Sequence, residues 1–148
     1  MTVYQVMDNL KSFILDAVKE AHLTTKNNEG KIPSVILGYL DPLDSEKDEQ
    51  EDFPYIIIRY MDDQSEGDSS NLKLKLIFGV YSEDFLGWVD VLHLFELVKI
   101  AILKRPVFDF YTIDKPIKSS IPEEQPYPYF YGFMDLNLTI PQIQVEGV

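Results

Sequence analysis

Few residues of this 148-residue chain have the types and spacing that chemistry requires. It has two histidines, His22 and His93, and no cysteine. A metal centre would have to combine the two imidazoles with carboxylates, yet neither histidine stands in the His-x-x-x-His or Glu-x-x-His spacing that sets two ligands on one helix face. Without cysteine there is no thiolate chemistry and no disulfide framework. The acidic run Asp62-Asp63-Gln64-Ser65-Glu66-Gly67-Asp68 invites a calcium reading, because oxygen ligands on a flexible loop suit that ion. Its order is not that of an EF-hand, whose glycine follows alternating ligands and precedes a distant glutamate. The plainer reading makes Asp62, Asp63, Glu66 and Asp68 part of a solvated hairpin loop, and Asp44 to Asp52 a solvated stretch of the same kind. Paired carboxylates doing acid–base work need a pocket that separates their pKa values, and these acids fall mostly in polar stretches. There is no Gly-x-Ser-x-Gly elbow, no Gly-x-x-x-x-Gly-Lys loop and no Gly-x-Gly-x-x-Gly. No residue is assigned to catalysis, to a cofactor or to a metal, and a non-enzymatic role is expected.

The elements that organise the chain lie between Leu72 and Arg105. Leu72, Leu74, Leu76, Phe78 and Val80 alternate with Lys73, Lys75, Ile77, Gly79 and Tyr81, the period of a strand with one buried face. Ser82, Glu83 and Asp84 suit a helix N-terminus. Trp88, Val91, Leu92, Phe95, Val98 and Ile102 then follow at helical spacing, with Lys99, Lys104 and Arg105 towards the C-terminal end. Leu94, Leu97, Ile100, Ala101 and Leu103 make this helix apolar over more than one stripe, which predicts burial on several sides, partly by a neighbouring subunit.

Earlier in the chain, Thr2 and Gln5 have capping-box spacing before the stripe Val6, Leu10, Phe13, Ile14, Ala17, Val18 and Ala21, predicting a helix from Val3 to His22. Thr24 to Lys31 reads as a loop, Ser34 to Leu40 as a strand, and Asp41 to Asp52 as an acidic connector. Pro54 to Met61 is a nearly all-apolar strand, covered on both faces or on one by a partner. A nine-residue loop, Asp62 to Ser70, would join it to the next strand. Beyond the second helix, Val107 to Ile113 is extended. The Pro-rich segment from Asp114 to Pro128 is either a loop ordered by packing or a projecting arm. Phe130 to Ile140 is the last strand and Gln142 to Val148 a tail. Two helices and about five strands that do not alternate predict one α+β domain over residues 1–148, a mostly antiparallel sheet with both helices on one face. Tyr127-Pro128-Tyr129-Phe130-Tyr131 adds aromatic surface of the kind enriched at interfaces.

Composition narrows the partners. At 45% apolar and 26% charged residues the chain has an ordinary globular make-up. Leu86 to Leu103 is interrupted by Asp90, His93, Glu96 and Lys99, which is wrong for a membrane span. No signal-peptide pattern is present, so a cytoplasmic origin is expected. A formal charge of −12 argues against gripping phosphates, although an acidic lining would let DNA slide past.

In the order of its elements the chain resembles the tail terminator (tail completion, minor tail protein) family of long-tailed, non-contractile bacteriophages. The resemblance rests on the N-terminal helix, the Pro-initiated strand Phe53-Pro54-Tyr55-Ile56-Ile57-Ile58, the loop and long strand after it, Ser82-Glu83-Asp84 with Gly87-Trp88-Val89-Asp90-Val91-Leu92 leading into the second helix, and the final strand. Asp41–Asp52 and Asp114–Pro128 depart from the family pattern. The resemblance implies a virion protein assembled in the host cytoplasm: a hexameric ring that caps the tail tube, stops its polymerisation and forms the head-joining surface. Its partners would be further copies of itself, the tail-tube protein and the head–tail connector. DNA would pass through the lumen without specific binding, and there would be no membrane contact. Tyr55, Tyr60, Tyr127, Tyr129 and Tyr131 are the candidates for subunit or partner contact, and Asp62, Asp63, Glu66 and Asp68 those for the lumen or rim. The competing readings are another head–tail joining or minor tail protein and a non-viral adaptor that holds one protein partner by a sheet edge or the aromatic arm.

Overall fold

The computed structural model describes residues 2–23, 30–42 and 52–141. Most of the predicted acidic connector (43–51), most of the loop after the first helix (24–29) and the tail from Gln142 lie outside the described residues. The elements run α1 (Val3–Val18), β1 (Ser34–Leu37), β2 (Tyr55–Glu66), β3 (Ser69–Tyr81), α2 (Gly87–Lys104), β4 (Thr112–Ser120) and β5 (Tyr129–Pro141). One sheet holds all five strands in the order β1-β2-β3-β5-β4, with β1 parallel to β2 and every other pairing antiparallel. This is the α+β architecture that the non-alternating order of strands and helices requires.

Both helices cover one face of the sheet, α1 against β1 and α2, and α2 against β3 and β5. The Thr2 hydroxyl accepts from the Gln5 amide and the Gln5 side chain accepts from the Thr2 amide, so the capping box closes α1 at its start. Val6, Leu10, Ile14 and Val18 turn to the sheet and are fully buried. The helix stops at Val18, short of the predicted His22, and the chain beyond it pairs backbone at Leu23 and Lys31. β1 ends at Leu37 rather than Leu40, because Gly38 takes a left-handed turn at φ +84.

Two segments read as loops contain strand, the first almost throughout and the second over its first half. Asp62 to Glu66 continues β2, and the hairpin turns in two residues at Gly67-Asp68, with Gly67 at φ +58 in the first central position. Polarity there marks a strand whose residues are exposed on both faces, with pairing to β3 overriding the low strand propensity of Asp and Ser. The Pro-rich segment likewise contributes β4. Pro116 is tolerated because β4 is the last strand of the sheet order, and the register shifts between Asp114 and Lys118. The rest of that segment is packed rather than projecting. Gln125 accepts from the Tyr131 amide at 2.7 Å and donates to its carbonyl at 3.1 Å, and the Tyr127 hydroxyl donates to the Glu83 carbonyl at 2.9 Å.

The junction from β3 to α2 also differs from the sequence reading. Leu86 is the N-cap and no side chain caps the helix; Asp84 accepts from the Leu86 amide at 2.9 Å, and Ser82 donates to Asp84. α2 buries Val91, Leu94, Phe95, Val98 and Ile102, so Leu94 belongs to the core while Trp88 and Leu92, assigned there from spacing, face outwards.

Close contact between α2 and β5 depends on the absence of a side chain at Gly132. A Cβ there would lie 2.5 Å from Val91 Cγ1 and 2.6 Å from Phe95 Cζ, both in the core. Gly132→Val is therefore expected to cost about 3 kcal/mol through overpacking, measured as a lowered urea midpoint. Unchanged stability would mean that α2 can lift from the sheet freely.

Candidate assembly surface

The five tyrosines nominated for subunit contact separate into two groups. Tyr55 is only 4% exposed and, with Phe53, Ile57 and Tyr81, forms a small second core on the sheet face opposite the helices. Tyr129 and Tyr131 are half-buried against it, with Phe53 stacked on Tyr129 at 4.7 Å. The apolar run of β2 is thus covered on both faces within one chain, and Tyr55 is not available to a partner. Tyr60 and Tyr127 remain outside, 45% and 48% exposed. The two stand at different ends of the molecule: Tyr60 on β2 beside β1, with exposed Met61 and Tyr39 nearby in the fold, and Tyr127 just before β5. There the Arg59 guanidinium lies 4.1 Å from the Tyr39 ring centroid and its Nε donates to the Gly38 carbonyl at 3.1 Å.

The buried phenols give the fold an alkaline limit. Burial pushes the Tyr55 and Tyr111 hydroxyls well above the ordinary tyrosine range, and Tyr111 also donates to Asn9 at 2.6 Å. Tyr81 is pushed up to about 12, chiefly by its hydrogen bond to Glu83. A group whose pKa is raised on folding contributes stability that is complete below its unfolded value, near 10, and is lost as pH climbs through the folded value. The urea midpoint is expected to fall between about pH 8 and about pH 11, and to fall less in Tyr55→Phe with Tyr111→Phe. An equal fall in both proteins would contradict this assignment.

The acidic candidates are strand residues. Asp62, Asp63 and Glu66 lie in β2 and only Asp68 is in the turn. Alternation along the strand sends Asp62 and Glu66 to one side and Asp63 to the other, where it accepts from the Tyr60 hydroxyl. Among the described residues no group of three or more His, Asp or Glu side chains gathers as a metal site requires. His22 and His93 are both exposed, His22 in the connection after α1 and His93 in α2.

An apolar surface stays open along α2, where spacing had set Trp88 and Leu92 with the core residues. Trp88, Val89, Leu92, Ile100 and Leu103 are all exposed along the outer side of α2, Trp88 at 46% and Leu92 at 39%. At its N-terminal end the stripe runs into a groove of about 460 Å³ lined by Phe85, Trp88, Ile121, Pro122, Tyr127 and Phe130. This groove joins α2 to the segment just past β4, so the apolar side of α2 and the edge strand β4 share a flank. Phe85 forms its rim in a left-handed conformation, φ +62, with its ring stacked on Tyr127 at 4.4 Å. Such a backbone costs a bulky residue about 1–3 kcal/mol and persists only where packing fixes it. A second groove, about 360 Å³, crosses the opposite face and is lined by Asp62, Lys73, Lys75, Pro116, Lys118 and Asp135 among others.

No protein-family model matches this chain, and no curated protein matches it. The surface itself is therefore what bears on function. No helix among the described residues is long and apolar enough to cross a membrane. Exposed apolar and aromatic groups of this kind are enriched where proteins meet other molecules. The sequence pattern anticipated this side in part: Ile100 and Leu103 stand among the residues that make α2 apolar over more than one stripe, whereas Trp88 and Leu92 share the spacing of the buried set.

Proposed function

We propose that this protein is a structural assembly protein of the phage tail terminator kind: a ring of copies that caps the tail tube, ends its polymerisation and presents the surface to which the head is joined. One observation carries the reading, the exposed apolar side of α2 with its groove on the β4 flank. Exposed aromatic and apolar groups at Tyr39, Tyr60 and Met61 on the β1–β2 flank support it. Two different apolar patches on opposite flanks of one sheet favour a head-to-tail contact, which closes a ring where the repeated operation is a pure rotation that returns to the first copy and otherwise makes an open filament. The order of elements adds the analogy to tail terminators, which implies six subunits. In that ring no bond is made or broken; shape and apolar contact do the work, and a net charge of −12 keeps a passing genome from adhering. The test is complementation of a phage lacking its own terminator. Restored tails of uniform length support the reading, and tubes that keep overgrowing in the presence of folded protein oppose it.

A further inference from the structure

We propose that, away from a tube end, the chain is a two-fold dimer in which the outer sides of two α2 helices lie antiparallel, each copy's C-terminal half against the other's N-terminal half. That the ring proposed above draws on this dimer, opening it so that the same side of α2 meets a ring neighbour, rests on that reading; the dimer itself does not.

Val89, Leu92, Glu96, Lys99 and Leu103 follow one another at steps of three, four, three and four residues, the repeat that keeps one side of a helix against another helix. Val89, Leu92, Glu96 and Leu103 are exposed, and Lys99 is half-buried with its ammonium 5.9 Å from the Phe95 ring centroid. The sheet is already served by a different set, Val91, Leu94, Phe95, Val98 and Ile102, so this seam is a second one on the same helix. An antiparallel pair centred between Leu97 and Val98 sets Leu92 level with the partner's Leu103 and Glu96 level with the partner's Lys99. The two-fold makes each match twice. Past the helix end, exposed Val107 and Phe110 fall beside the first turn of the other copy's α2, where exposed Phe85 and Trp88 line the apolar groove.

Charge selects the direction. From Ser82 to Val98 the chain carries Glu83, Asp84, Asp90 and Glu96 and no lysine or arginine; from Leu97 to Phe108 it carries Lys99, Lys104 and Arg105 and no acid. No ion pair among the described residues joins any of these side chains to another. An antiparallel pair lays acid against base along both halves, whereas a parallel pair would lay acid on acid and base on base. Acids early and bases late also suit the helix dipole, but the dipole asks nothing of the exposed Val89, Leu92 and Leu103. An end-to-end contact would satisfy the two ends and leave Glu96 and Lys99 unmatched between them. Only the two-fold uses the whole seam.

Because the chain has no cysteine, thiols can be placed on it without competition. Light scattering on the free wild-type chain should give twice the mass of one copy. Leu92→Cys with Leu103→Cys, treated with a short thiol–thiol crosslinker, should stop at a covalent dimer. Either single variant should give no product, since like positions then lie roughly 16 Å apart along the axis, while a mixture of the two single variants should cross-link. Glu96→Lys should weaken the dimer about tenfold, and Glu96→Lys with Lys99→Glu should restore it to within a few-fold, with circular dichroism checking that each variant is folded. Covalent chains of three or more copies would overturn the two-fold pair and leave a head-to-tail ring standing. A free wild-type chain that is monomeric at every concentration, or a dimer whose double-cysteine variant does not cross-link, overturns the pairing, and imaging of tube ends then decides the ring by itself.

Discussion

Phe78→Ala is expected to lower the stability of the fold by about 3–5 kcal/mol. Phe78 sits in β3, flanked by β2 and β5, and is fully buried. Its ring meets Phe95 of α2 edge to face, centroids 4.9 Å apart at 85°. Truncation removes the apolar area, the ring pair and the support that holds α2 against the sheet. The position is surrounded by elements already paired on both sides, so the cavity cannot collapse and its full cost should appear. At roughly 2–4 °C per kcal/mol for a domain of this size, the melting temperature should fall by about 10 °C. A fall of less than about 1 kcal/mol would mean that α2 is not anchored through this pair.

The second large effect is on assembly and not on folding. Trp88→Glu with Leu92→Glu is expected to weaken self-association by about a hundredfold, since a buried tryptophan anchor contributes about 2–4 kcal/mol at a protein interface and the glutamates would bury unpaired charge beside it. Stability of the single chain should change by no more than about 0.5 kcal/mol, because both side chains project from the core and glutamate suits an exposed helix position. Scattering mass against concentration, beside a urea titration, separates the two quantities. Association at wild-type strength would remove the outer side of α2 from the interface.

Much of the fold was legible because its signals are periodic. The capping box marks where α1 starts, while the period-two alternation of β3 and the last strand and the helical stripe of α1 each report burial on one side, and the structure packs those apolar residues into or against the core. Where burial is absent or two-sided, periodicity has nothing to report. Asp62 to Glu66 is exposed on both faces and reads as loop, yet β3 holds it as strand. Lys115-Pro116-Ile117 looks like a breaker, but an edge strand tolerates a missing donor. In α2, Trp88 and Leu92 share the helical spacing of the core residues, and only the position of the sheet decides which stripe is inside. The same ambiguity governs the candidate tyrosines. Tyr55 is covered by Phe53 and its neighbours on the far face of the sheet, a long-range packing event that local composition does not encode.

Light scattering on a size-exclusion peak, over a wide concentration range and with and without purified tail-tube protein, followed by negative-stain imaging, tests the central claim most directly. A closed ring of about six copies, free or seated on tube ends, is the result predicted. A folded monomer that ignores tube ends at every concentration would contradict it.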